Sequence, residues 1–200
     1  MSLLNFFNCV LNNDIDAVKS YLEYGGRKRV KNLAIIYAAA FGNAEMVAVL
    51  LQAGVPVNTF DVLTIFQRKW ESSKLKKLQA SMESDMKEYT RGWAPILTAA
   101  CVAAFYGHEN VLDVISAHDI SAISFNPYLQ PTTLFLGDSE PPSWNAVTCA
   151  LMGNQWSIAS KFVDMGFVTT DMEEQYPLFL EFRTKVKIPT DVINVVFSYL

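Results

Sequence analysis

The stretch Leu33–Asn58, LAIIYAAAFGNAEMVAVLLQAGVPVN, decides the fold. Two small residues, Ala38 and Ala39, lie shortly before Gly42, and the polar Asn43 follows at a site suited to a helix N-cap. Met46, Val47, Leu50 and Leu51 recur at the spacing of one helix face. Gly54 stands where a left-handed residue ends a helix. The pattern predicts a short helix with a small-residue face, a tight turn, an amphipathic helix and a glycine stop. Such a unit cannot bury its own apolar face, so it requires neighbours stacked against it.

Those neighbours are present on both sides. In FFNCVLNNDIDAVKSYLEYGG, residues 6–26, Asn13 replaces Gly42 and Asp14 replaces Asn43. Asparagine is a frequent occupant of left-handed turns, because its short polar side chain bonds locally. Val18, Tyr21 and Leu22 repeat the outer apolar stripe, and Gly25 replaces Gly54 at the same twelve-residue offset. Two later copies surround Gly107 (VAAFYGHENVLDVI) and Gly153 (TCALMGNQWSIASKFVDMGF). The last copy is read with one extra residue in its outer helix.

The four offset-matched units resemble the ankyrin repeat, a unit of about 33 residues. The best match is Ala38–Val47 with Leu50, Leu51, Gly54, Val57 and Asn58, and the resemblance covers most of residues 4–166. It implies an all-α fold: an ankyrin-like helical-repeat solenoid of about four degenerate repeats over 1–166, with a helical insertion and a C-terminal cap. It also implies a monomer that binds a partner protein on its concave face. The family's Thr-Pro-Leu-His tetrad is nearly absent. Its nearest copy is Ala94-Pro95-Ile96-Leu97, and the histidine positions hold Phe7, Ile36, Leu97 and Val147. The fingers between repeats are therefore expected to be irregular.

Between the units the chain departs from the repeat. Residues 26–32, GRKRVKN, read as the first finger, crowded with Arg27, Lys28, Arg29 and Lys31. Residues 60–91 lack a repeat glycine but carry a helical apolar pattern through Val62, Ile65, Phe66, Leu75, Leu78 and Met82. They fit a helical insertion or a decayed repeat. The third inner helix is expected to start near Ala94, with Pro95 in its first turn and one turn more than the others. Residues 119–143 form a long loop, broken by four prolines and too apolar for disorder, that is expected to pack on the solenoid.

The segment 167–200 reads as a C-terminal helical cap. Its end, IPTDVINVVFSYL, also looks like the opening helix of an F-box through Ile188, Pro189, Asp191, Val192, Ile193, Val196, Phe197, Tyr199 and Leu200. An ankyrin array followed by such a helix resembles poxviral host-range proteins and effectors of intracellular bacteria. That resemblance implies an alternative role as a substrate adaptor. Pro189, Val192, Ile193, Val196, Phe197 and Leu200 would then recruit a cullin-type ubiquitin ligase through its adaptor.

Composition bounds the function. Two hundred residues suffice for one domain with a sizeable core. A hydrophobic fraction of 51% and a charged fraction of 18% suit a compact helical protein. The formal charge of −4 gives no reason to expect nucleic acid. Cys9, Cys101 and Cys149 fall on expected buried faces and read as core residues of a reducing compartment. No cysteine pair, Gly-rich loop or carboxylate pair calls for a metal or other cofactor.

The two histidines, His108 and His118, read as helix-capping residues without a nucleophile at a matching spacing. The chain is accordingly read as a non-enzyme. The enzyme alternative places unfamiliar chemistry on the insertion and the long loop. No secretory signal opens the sequence, and the longest apolar run, Trp93–Tyr106, is short of the ~20 residues of a membrane span. The expected compartment is a cytosol, that of a host cell included.

The binding face follows from register. The two positions before each helix-turn residue point to the concave surface of an ankyrin-like unit. Here they hold Leu11 and Asn12, Ala40 and Phe41, Phe105 and Tyr106, and Leu151 and Met152. The expected partner-binding set is Leu11, Phe41, Phe105, Tyr106, Leu151 and Met152, rimmed by Arg27, Lys28 and Arg29.

Overall fold

The structure, a computed structural model, describes residues 2–25, 27–62, 96–125 and 145–167. The described residues are helical. They form α1 (Leu3–Leu11), α2 (Ile15–Glu23), α3 (Lys28–Ala40), α4 (Ala44–Gln52), α5 (Ala99–Tyr106), α6 (Glu109–His118), α7 (Ala146–Met152) and α8 (Trp156–Asp164). A 3-10 turn covers Ile120–Ile123, and β1 (Phe60–Val62) pairs antiparallel with β2 (Ile96–Thr98). No helix among the described residues is long and apolar enough to cross a membrane.

The eight helices form four pairs, α1/α2, α3/α4, α5/α6 and α7/α8, and each pair closes with the same turn. At the first, the Asp14 N–H donates to Cys9 O. The same bond runs from Asn43 to Ala38, from His108 to Ala103 and from Gln155 to Ala150, all at 2.8–2.9 Å. This bond across five residues is the Schellman closure, which requires a left-handed residue. Asn13, Gly42, Gly107 and Asn154 supply it, with φ of 56°, 71°, 79° and 56°. In the fourth pair the turn residue is thus Asn154, not the Gly153 inferred from sequence. Gly166 then falls twelve residues later, as Gly25 and Gly54 do in their pairs, and the outer helix has no extra residue.

The first helices of the pairs pack in chain order, α1 on α3, α3 on α5 and α5 on α7, and α2, α4 and α6 pack in the same order outside them. Small residues make the inner layer possible. Ala38, Ala39, Ala103, Ala104, Cys149 and Ala150 are fully buried, as the alanine pattern anticipated. The outer stripe closes the core through Val18, Met46, Val47, Leu50, Leu51, Val111, Leu112 and Ile115. Cys101 and Cys149 are buried free thiols on α5 and α7, and burial holds the Cys149 thiol well above its ordinary pKa.

Three local expectations are corrected. Residues 28–32 are not a finger but the opening turns of α3, which at 13 residues outruns the 8 of α5. Val30 and Leu33 are buried, which anchors the extra helix. Phe60–Val62 is extended rather than helical, because Thr98, Leu97 and Ile96 pair with it residue by residue. The third inner helix starts at Ala99 and gains no turn. Thr98 is its N-cap, its hydroxyl accepting from the Cys101 N–H at 3.1 Å, so Pro95 precedes the helix. The rest of the 60–91 and 119–143 segments, and all of 168–200 with the F-box-like helix, lie outside the described residues.

Candidate interaction surface

The turns that close the pairs also join them. In three of the four pairs, the residue after the left-handed position starts the outer helix yet makes no capping bond with its side chain. Those side chains serve the stack instead. The Asn43 amide donates to Val10 O of the preceding pair at 3.2 Å. The His108 ring lies over Gly42, with Nε2 3.0 Å from Ala40 O. A carbonyl only accepts, so His108 carries its proton on Nε2. The Asn110 amide adds a bond to Gly42 O at 3.2 Å. The Gln155 amide lies over Gly107 and donates to Gly153 O at 3.0 Å. Asp14, in the first described pair, instead caps its own helix at the Ala17 N–H.

Five of the expected binding residues, Leu11, Phe41, Phe105, Tyr106 and Met152, fall at this edge of the inner layer. Phe41 is 38% exposed, an unusual fraction for a large apolar side chain in this core. Tyr106 is half-buried, its ring edge-on to Phe105 at 5.2 Å and 6.3 Å from the His108 ring. Phe41 immediately precedes the Gly42 turn that the His108 ring covers, and Tyr106 neighbours that ring, so all three border the junction of the second and third pairs. Leu11, Phe105 and Met152 occupy the matching rung in their pairs but are each only 8% exposed. They are the outer edge of the core.

Leu151 does not share the rung. The turn residue being Asn154, Leu151 falls one position deeper and is 1% exposed. Gly153 takes its place beside Met152, and a Cβ there would run into the backbone carbonyl of Phe105. The roles of His108 and Asn43 as inter-pair ties do not follow from the repeat spacing. The available signal was the polar residue that recurs after each turn residue: Asp14, Asn43, His108 and Gln155.

Arg27, Lys28 and Arg29 are exposed but do not rim the apolar edge. They begin α3 while Phe41 follows its end, so they stand roughly 20 Å apart at 1.5 Å per residue. A shallow groove of about 350 Å³ lies elsewhere, between α2 and α4, lined by Lys19, Leu22, Glu23, Val49, Gln52 and Ala53. It offers one cation and one carboxylate over an apolar floor, with no nucleophile or metal-ligand set. Among the described residues no group of three His, Cys, Asp or Glu side chains could hold a metal ion. Comparison with family models, curated proteins and solved structures returned no match for this chain.

Proposed function

We propose that this chain is a divergent ankyrin-like solenoid that binds a partner protein along the turn edge of its inner helices. Four pairs with one turn geometry, stacked in chain order, support the solenoid reading. Direct packing of α3 on α5 supports reading residues 60–91 as an insertion rather than a decayed repeat. So does the β1–β2 pairing, which brings the chain back to the point where it left.

The observation that carries the binding reading is Phe41. It follows directly on the buried Ala38, Ala39 and Ala40 at the end of α3, yet it is 38% exposed. Rigid exposed aromatics lose little entropy on binding and are typical interface anchors. Tyr106 and His108 extend the same edge by one pair. His108 is committed to Ala40 O, which favours a structural role over acid–base chemistry and supports the reading as a binding module rather than an enzyme.

The test is capture of partners from host-cell lysate, then titration of the recovered partner against variants. Phe41→Ala and Tyr106→Ala should each weaken binding by about 1–3 kcal/mol with unchanged melting. Normal binding by both variants would sink the proposal.

A further inference from the structure

A second feature lies at the opposite end of α3. Arg27, Lys28, Arg29 and Lys31 gather four of the chain's 16 cations into one turn of helix, in a protein whose formal charge is −4. Arg27 and Lys28 are exposed, and their side chains make no ion pair or hydrogen bond among the described residues. Lys28 and Lys31 are three positions apart on a helix, so they share a face, which Arg27 leads into. Tyr24, 92% exposed, stands three residues before Arg27 across the same connection.

We propose that this amino-terminal extension of α3 docks an acidic polypeptide segment of the partner. The inference rests on the binding reading above and names the chemistry of a second contact. Readers of extended basic peptides do not fit, since the segment is helical and buries Val30 and Leu33. A nucleic acid or a membrane presents an unbroken array of anions, and its affinity grows with the number of cations it meets. Without these four cations the chain's formal charge falls from −4 to −8, which disfavours so extended an anionic array. A short acidic segment touches only the cations, and Tyr24 can cover its apolar side.

The experiment measures binding of a fluorescein-labelled oligo-glutamate peptide to the full chain by anisotropy. Phosphatidylserine vesicles are tested in parallel by co-sedimentation. The unaltered chain should bind the peptide, more weakly as salt rises, and Arg27→Glu/Lys28→Glu should lose roughly tenfold or more in affinity. Phe41→Ala should bind the peptide normally, which separates this proposal from the apolar-edge reading. Carboxylates at a helix start favour the helix, so loss of binding in the charge-reversed variant will not reflect unfolding; circular dichroism checks this. No peptide binding, equal binding by the charge-reversed variant, or binding to vesicles without binding to peptide each overturns the proposal.

Discussion

The junction between the second and third pairs and the junction between the third and fourth fill one slot with different chemistry. At the first, an imidazole lies over Gly42 and bonds to Ala40 O. At the second, the Gln155 amide lies over Gly107, while Gly153 lets the end of α7 touch the Phe105 carbonyl. What recurs is a flat polar side chain laid on a left-handed turn. Both slots need a small turn residue beneath the side chain, but only His108 also reaches a carbonyl of the preceding pair, while Gln155 bonds within its own turn.

The contrast breaks first at Gly153. Gly153→Ala drives a Cβ into a backbone carbonyl that cannot swing aside, so it should cost roughly 3 kcal/mol by denaturant unfolding, the upper end of overpacking. A loss near zero would mean that α7 does not approach α5 as described.

Gly42→Ala is expected to cost about 2 kcal/mol, part left-handed strain and part contact with the His108 ring. Here the obstacle is a side chain. Adding His108→Ala should therefore restore a portion, and the two changes should be clearly non-additive. Additive losses would show that the ring does not rest on Gly42.

His108→Ala alone should lower stability by about 1–1.5 kcal/mol, since it strands Ala40 O as well as removing the ring. His108→Gln, which lays the other junction's side chain over Gly42 and keeps a donor within reach of Ala40 O, should recover part of that loss. Failure of glutamine to substitute would make the two slots distinct.

The smallest effect belongs to the outer layer. Lys161 on α8 bridges Glu109 at 2.9 Å and Asp113 at 2.7 Å on α6. Asp113 and then Glu109 hold its ammonium above the usual lysine pKa. A folded value above the unfolded one means a contribution present at neutral pH and lost only as pH rises past the lysine range. The lysine side chain is 40% exposed, so solvent screening leaves about 0.5 kcal/mol or less. Lys161→Ala should move the urea midpoint slightly at low salt and not at high salt.

Much of this was legible in the chain. The glycine and asparagine turns, the alanine faces and the outer apolar stripes are local signals, and each placed its helix. The reading failed where a local signal had two solutions. Gly153-Asn154 offers two residues able to turn left-handed, and choosing the glycine moved Leu151 onto the surface and Gly153 out of its packing role. GRKRVKN looks like a loop because four cations repel, yet Val30 and Leu33 find a core to enter and the helix runs on. Ile96–Thr98 suits a helix start or a strand, and a pairing partner 36 or so residues earlier settled it.

The candidate surface divides the same way. Register alone brought Phe41 and Tyr106 to the turn edge, because a helix fixes which residues share a face. Only the tertiary structure decided that Leu11, Phe105 and Met152 belong mainly to the core, that His108 ties two pairs, and that the basic turn lies a helix length from Phe41. Burial and bonding to a distant carbonyl depend on what the neighbouring pair brings, and no spacing within one unit encodes that.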